Sequence, residues 1–563
     1  MSGRVVVQWD KDDCHDLGII KVDLLGLGMM AALEDSLQLI RDHYKEEVDL
    51  AHLPADAPEV YSTLRKADTI GMFQIESRAQ MACLPRLQPQ TFYDIVVQVA
   101  IIRPGPIVGQ MVNPYLQRRQ GRETVAYPHP SLEPVLARTL GVPLFQEQLL
   151  RMAMIAANFT GGEAEELRRA MGFKRSRMRM IEIEAKLRAG MERNGISREA
   201  QEQIVLSITS FALYGFPESH AASFALIAYA SAYLKCHYLA AFTAALLNNQ
   251  PMGFYRPATI VKDAQRHGLK VFPIDVIKSD WLCTLLKHQD TIALRIGLRY
   301  VRGLREEAAH ALVRQRSVAP FNSIRDLIHR VPELRKDELN TLAEIGALNS
   351  IGNSPKLNAD REFQIEDSRL QIDGPNIHHS AIYNQQSKIN LHRRDALWQV
   401  ERAVRHSGPL LDELPEPDLK SPLRVMNEEE RLVADFRGTG MTVGPHPMQY
   451  HREEMNKRQI HKACELSQIP NGQYLRIGGC VIARQRPGTA KGFVFLSLED
   501  ETGVANAIIN PQLFQKHRLL ITSEQFLMIE GVLQNQDHVI SVKAAHVAAL
   551  SITHAPTSSH DFH

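Results

Sequence analysis

The sequence has little from which to build a cysteine-framed metal centre. Its six cysteines, at positions 14, 83, 236, 283, 464 and 480, form no C-x-x-C pair and sit beside no histidine spacing suited to zinc. That argues against a structural metal and for reduced thiols in a cytosolic protein. Long apolar runs are missing too. The most apolar stretch, 224–247, is interrupted by Lys235-Cys236-His237, short of the ~20 uninterrupted residues that span a bilayer, so it reads as buried helix and no membrane association is expected. The first ten residues lack the apolar core and small-residue cleavage site of a signal peptide, and no export is expected. An excess of charge of either sign is also absent: 65 lysines and arginines face 64 acidic residues. Net charge therefore points to no class of partner, and any basic surface must be local. What the chain has is length. At 563 residues it exceeds one hydrophobic core, and roughly three to five domains are expected.

Residues 5–8 and 17–25 have the β-branched, apolar character of strands separated by an acidic turn at 10–16, which predicts part of a sheet. From Met29 to about Leu247, apolar residues recur at intervals of three and four, with breaks at the Pro and Gly clusters of 104–106 and 127–130. This predicts a large helical domain. A short strand is expected around 271–276, after a helix ending near His267-Gly268, and two helix-turn units over 293–350 suggest a helix-hairpin-helix module. Residues 353–390 are rich in Asn, Gln, Ser, Asp and His with little periodicity, which predicts disorder because too little apolar surface offsets the ordering entropy. A helical pattern resumes at 391–398 and a Pro-rich linker follows at 408–422. Residues 473–550 alternate like five strands, with a helical segment at 511–516 between the third and fourth, which suits an OB-fold. The polar tail, 556–563, is expected to fray.

Residues 161–238 are the most informative. Gly161-Gly162-Glu163 leads to Leu167-Arg168-Arg169-Ala170-Met171-Gly172-Phe173-Lys174-Arg175, and Tyr214-Gly215-Phe216-Pro217-Glu218-Ser219-His220-Ala221-Ala222 follows. Six cations lie between Arg168 and Arg179, so a triphosphate or nucleic-acid backbone is the natural guest. Upstream stand Gly71-Met72-Phe73-Gln74-Ile75-Glu76-Ser77 and Ile101-Ile102-Arg103-Pro104-Gly105-Pro106. Together these motifs resemble the fingers of bacterial C-family DNA polymerases, the polymerase III alpha subunit, and are closest to its error-prone, damage-inducible branch. The resemblance covers about 1–350 and 391–550.

That resemblance implies a multidomain α+β chain: a partial palm sheet (1–35), a large helical fingers domain (36–250), a connector (251–292), a helix-hairpin-helix module (293–352), a disordered insertion (353–390), a helical segment and linker (391–472), a C-terminal β-barrel of OB type (473–550) and a tail (551–563). It implies a DNA-directed DNA polymerase, error-prone and used in damage-induced translesion synthesis. Such enzymes work with Mg²⁺ in a two-metal site, with deoxynucleoside triphosphates, a primed DNA template, and as further partners a sliding clamp and mutagenesis accessory proteins, in the cytoplasm.

Two-metal transfer needs carboxylates. Lys21-Val22-Asp23-Leu24-Leu25-Gly26-Leu27 resembles the family's third palm motif, which makes Asp23 the matching catalytic, metal-associated carboxylate. Asp10-Lys11-Asp12 could place two carboxylates on one face of a strand. Yet residues 9–13 resemble the family's segment just before that third motif and read as a solvated loop. The family's upstream Asp-x-Asp pair is not found, so the chain is expected to start inside the palm and to synthesise little alone.

By the same resemblance Arg168, Arg169 and Lys174 face the incoming nucleotide, where guanidinium and ammonium groups neutralise a triphosphate; an exposed basic helix face is the plainer alternative. Tyr214, Phe216, Ser219 and His220 match the motif that closes near the nascent base pair, although an aromatic beside Gly is often core and a lone His is often structural. Gln74, Ser77 and Arg103 are assigned to the active-site cleft, against the alternative of a helix connector with a capping serine. Gly297 and Gly303 are candidate phosphate anchors of the hairpin module. Tyr474, Arg476, Arg484 and Phe493 are candidate single-strand contacts of the barrel, where aromatics interleave with cations. A non-enzymatic DNA-binding protein and a phosphohydrolase using Asp10, Asp12 and Asp23 are the rival readings, the latter lacking a dense His and Asp ligand cluster.

Overall fold

The computed structural model describes residues 9, 11–19, 25–102, 108–172, 177–211, 216–351, 392–404, 421–550 and 560–562. It divides into two compact units, the first formed by 1–102, 110–238 and 249–254, the second by 103–109, 239–248 and 255–563.

The first unit is helical. Its elements are α1 (Lys11–Asp16), α2 (Leu27–His43), α3 (Pro58–Arg65), α4 (Arg78–Leu87), α5 (Phe92–Ile101), α6 (Val108–Arg119), α7 (Glu133–Leu136), α8 (Gln146–Ala157), α9 (Gly161–Gly172), α10 (Arg177–Arg193), α11 (Arg198–Phe211) and α12 (Glu218–His237). Local chemistry starts them. Asp94 accepts the backbone N–H groups of Gln90 and Thr91 at 2.8 and 3.0 Å, closing a capping box at the head of α5. Arg119 meets the same carboxylate at 2.9 Å. Two cores result. One gathers α3, α4, α5 and α12, and the other gathers α8, α10 and α11 around Leu149, Met152 and Ile204.

Helix α12 changes character along its length. Its first half exposes Ser219, Ser223 and Leu226, whereas from Ala228 to Lys235 every residue except Tyr233 is buried. Alanines make that enclosure possible, because a side chain of one methyl lets neighbouring helices approach closely. The buried half is also tied down by polar bonds. Ser231 Oγ accepts the Phe73 N–H at 3.1 Å, Tyr229 donates to the Pro54 carbonyl, and Lys235 Nζ donates to the Ile70 carbonyl at 2.9 Å.

The second unit opens with α13 (Leu239–Asn248) and α14 (Pro257–Arg266), then a three-stranded sheet of order β1-β3-β2, with β1 (Val271–Phe272), β2 (Thr284–His288) and β3 (Thr291–Arg295). Helices α15 (Glu306–Val318), α16 (Ile324–Arg330), α17 (Lys336–Glu344), α18 (Arg393–Ala403), α19 (Glu428–Thr439) and α20 (Arg452–Lys457) follow. Fully buried Glu338 ties this helical part together, accepting Arg305 Nε at 2.9 Å and the Arg335 N–H at 2.7 Å. Short β4 (Ile460–His461) leads to the barrel: β5 (Tyr474–Gln485), β6 (Val494–Glu499), β7 (Val504–Ile509), α21 (Pro511–Lys516), α22 (Arg518–Ser523), β8 (Phe526–Gln536) and β9 (Val539–Ala549). Pairing runs β5-β6-β7-β9-β8 and returns to β5, with only β7–β9 parallel, so the five strands close on themselves. Alternate residues such as Leu496, Leu498, Ala507, Ile509, Ile529 and Val542 fill the interior.

The five strands, and the helical segment between the third and fourth, agree with the sequence pattern. Two expectations are corrected. The acidic segment at 10–16, expected as a turn or solvated loop, is helical over Lys11–Asp16, because Asp12 and Asp13 in a first turn suit the positive end of the helix dipole. The tail is not wholly frayed, since β10 (His560–Phe562) pairs in parallel with Ala483–Gln485 of β5 through backbone bonds that need no apolar side chains. Residues 17–19 of the expected second strand form a turn with Gly18 at φ 67°. The remaining palm-strand positions 1–8 and 20–24, the 353–390 insertion and most of the 408–422 linker lie outside the described residues.

The enclosure of α12 has a measurable consequence. Ala228→Leu, at a fully buried position, is expected to destabilise the first unit by roughly 1–3 kcal/mol through overpacking. Leu226→Ala, at a position 60% exposed, should stay within about 0.5 kcal/mol. Chemical denaturation followed by circular dichroism compares the two, and equal effects would contradict the enclosure.

Candidate nucleotide and DNA interface

The motif at 216–220 sits where the chain enters α12. Phe216, His220 and Phe224 share one face at four-residue spacing, with ring centroids 5.0 Å apart for Phe216–His220 and 4.1 Å for His220–Phe224, and Phe73 extends the row at 5.4 Å from Phe224. His220 is therefore half-buried within an aromatic row, while Ser219 beside it is exposed. Tyr214 and Gly215 lie outside the described residues.

The upstream motif, 71–77, packs under this row. Gln74 adopts a left-handed backbone at φ 64°, and Ser77 caps α4 by accepting the Gln80 N–H at 3.4 Å, so Ser77 takes the capping role named as its alternative. Sequence reasoning missed Glu76, between them. Its carboxylate accepts the Gly71 N–H at 2.8 Å and the Phe254 N–H at 2.7 Å, fastening the 249–254 strap to the motif. Loss of water around the carboxylate pushes its pKa up to about 7, against the opposing pull of those two amides and of Lys235. A single glutamate between Ile75 and Ser77 carries no local signal of this.

Arg168 and Arg169 lie in the last turns of α9, while Lys174, Arg103 and Asp23 lie outside the described residues. The head of α9 is built from Thr160 and Glu163, a T-x-x-E pattern legible in the sequence as a capping box. Glu163 accepts the Thr160 N–H at 2.7 Å, and the Lys186 ammonium beside it holds its carboxyl down at about 2. Glu163 therefore orients the basic helix by joining α9 to α10.

In the second unit the candidate anchors separate. Gly297 is buried, a Cβ there would lie 2.4 Å from the Leu282 carbonyl carbon, and its N–H is given to Cys283 Sγ at 3.4 Å. It is a close-packing glycine with no amide open to phosphate. Gly303, exposed at φ 82° with open space where a Cβ would stand, lies in a turn just before α15. On the barrel, Tyr474 is 57% exposed. Arg476 pairs with Glu530 across β5 and β8, and Arg484 donates to the carbonyls of Ile521, at 2.7 Å, and Glu524. Phe493 is half-buried at the loop before β6, and Arg486 stacks over the Phe514 ring at 4.8 Å.

Three family models fall on these parts of the chain. Residues 29–195 match the bacterial DNA polymerase III alpha subunit finger domain, 268–357 a helix-hairpin-helix motif, and 475–550 an OB-fold nucleic acid binding domain. An error-prone DNA polymerase of Anaeromyxobacter sp. (strain K) is 43% identical over 581 residues, taking in 100% of this chain and 48% of the relative. Error-prone DNA polymerase 2 of Rhizobium meliloti (strain 1021) is 42% identical, with 98% and 48% covered. The error-prone DNA polymerase of Methylococcus capsulatus is 42% identical, with 97% and 50% covered. The chain is similar along essentially its whole length to bacterial proteins named error-prone DNA polymerase, and it carries a polymerase III alpha subunit finger domain. It spans about half the length of the curated relatives it matches. Helix α9 falls within the finger-domain match, the 216–220 motif lies beyond its end, and the barrel coincides with the OB-fold match.

Glu76 gives this fingers unit a pH dependence. Its folded pKa of about 7 lies above its ordinary value of 4.5. The fold therefore favours the protonated form, and the stability this group contributes is full below pH 4.5 and lost as pH rises through 7. Glu76→Gln removes the titration and sets an NH₂ against one of the two amides. Thermal unfolding across that interval should show a midpoint falling with pH in the parent and a flatter profile in the variant. Parallel profiles would refute the assignment.

Proposed function

We propose that this chain holds nucleotide and primed DNA for an error-prone, damage-induced DNA polymerase acting by nucleotidyl transfer. The observation that carries the proposal is the 42–43% identity, along essentially the whole chain, to proteins named error-prone DNA polymerase. Arg168, Arg169 and Lys174 neutralise the triphosphate of a deoxynucleoside triphosphate, and Phe216 with Tyr214 borders the base. The cleft around Gln74, Ser77 and Arg103 adjoins the primer. Gly303 approaches duplex phosphate, and Tyr474 and Phe493 stack template bases on the barrel. A sliding clamp and mutagenesis accessory proteins are the further partners of this reading. Among the described residues no helix is long and apolar enough to cross a membrane, which is compatible with the cytoplasmic setting proposed.

The transfer chemistry of such polymerases uses two divalent ions, Mg²⁺ by expectation, and Asp23 would supply one carboxylate. Asp10 and Asp23 lie outside the described residues, so only binding and orientation are derived for this chain. The match of residues 475–550 to an OB-fold nucleic acid binding domain favours a second reading, a DNA-binding protein without synthesis of its own.

Extension of a labelled primer-template by the purified chain, with Mg²⁺ and four nucleotides and beside Asp23→Ala, tests the two. Elongation abolished by Asp23→Ala supports the polymerase reading. Gel-shift binding of the primer-template without elongation supports the second, and absence of both refutes them.

A further inference from the structure

The second unit holds a cavity that the proposed function leaves unused. It lies where α19 faces the ends of three elements: Ile274 stands just past β1, Ile296 just past β3 and Ile345 just past α17. Leu432 of α19 and Met441 of the segment after it extend the apolar lining, and these five side chains are buried. The cavity measures about 250 Å³, and Tyr450 adds an aromatic ring to it. Pockets for drug-sized ligands start at ~300 Å³, so this one suits a single ring system. Glu428, Arg431 and Pro445, the exposed members of the lining, mark its opening.

One carboxylate interrupts the apolar wall. Asp435, which also lines the cavity, pairs with Arg393 through Oδ1 at 2.7 Å and accepts the Thr442 hydroxyl at Oδ2, also at 2.7 Å. Each carboxylate oxygen has two acceptor positions, so these partners leave one on each. Burial pushes the Asp435 carboxyl above its ordinary value of 3.8, against the pull of Arg393 and Thr442. Loss of water thus outweighs what the two protein partners return, and further N–H donors would restore the balance. A purely apolar ligand brings none. A flat ring with adjacent N–H groups along one edge brings both, and among the bases of DNA that edge belongs to guanine, with N1–H beside N2–H₂. Thymine sets carbonyl oxygens on either side of its single N–H and would turn acceptors toward an acceptor. In a duplex the guanine edge is used in pairing, so an unpaired base must offer it.

We infer that this cavity receives one unpaired base of a DNA strand, its ring against Ile296, Leu432 and Tyr450 and its N–H edge on Asp435, with guanine preferred. The inference rests on the DNA-binding part of the reading above. It adds a point at which a strand is read by base, beside the helix-hairpin-helix match that supplies Ile274, Ile296 and Ile345.

Fluorescence anisotropy of the full chain tests it with three labelled duplexes, identical except that one carries an unpaired guanine, one an unpaired thymine and one no unpaired base. The parent is expected to bind the guanine duplex about fivefold or more tighter than either of the others. Val443→Trp, which fills the cavity from its own lining, should bring the guanine duplex to the level of the paired one, with the paired duplex within about twofold of the parent. Asp435→Asn should remove the preference for guanine over thymine. Circular dichroism checks that each variant is folded, and the comparison within the parent stands without them. Equal affinity of the parent for all three duplexes, within about twofold, overturns the inference and leaves the DNA-binding reading in place. A guanine preference that survives both folded variants does the same. A parent that binds none of the three overturns the DNA-binding reading and the inference with it.

Discussion

Helix α12 is buried at every position from Ala228 to Lys235 except Tyr233, and the first unit is organised around that constraint. A helix enclosed on all sides must be narrow and must satisfy every polar group it carries. Alanines at 225, 228, 230 and 232 supply the first condition, and the bonds of Tyr229, Ser231 and Lys235 to the 54–73 region supply the second. Because those bonds fix the helix along its axis, its exposed beginning is placed as firmly as its buried end. The motif at 216–220 is thereby offered from a rigid support, as a site that discriminates between ligands requires.

The second unit is marked by the pairing of its charges. Many of its cations are engaged internally. Arg266 reaches buried Glu499 at 2.9 Å, Arg393 meets Asp435 at 2.7 Å, and Arg452 pairs with Glu501 and Asp500. Arg476 and Arg484, candidates for single-strand contacts by sequence, join this internal set through Glu530 and the carbonyls of Ile521 and Glu524. Exposed aromatic surface at Tyr474 and the backbone of the Gly303 turn therefore weigh more in the proposed interface than those two guanidinium groups.

The legible parts of the sequence were those with a period. The barrel followed from alternation, down to the helix between its third and fourth strands, and the helical fingers followed from the three-four spacing. What escaped lacked local pattern. The contact between Glu147 and Glu218 joins residues 71 positions apart, and Glu76 meets Phe254 across 178. Helix α1 reads as loop in the sequence because residues 9–13 resemble the family's segment just before its third palm motif, although acidic residues in a first turn also suit a helix start. Gly297 matched a hairpin glycine by type, and only the backbone of 281–282 packed against it reveals that its role is close approach.

The central claim, that the nucleotide lies between the basic end of α9 and the start of α12, is tested most directly by photocrosslinking an azido-substituted deoxyadenosine triphosphate to the intact chain and mapping the labelled peptide. The account predicts label within residues 161–238 that is competed by unmodified nucleotide. Competable label confined to 268–357 or 475–550, the hairpin and barrel matches, would contradict it.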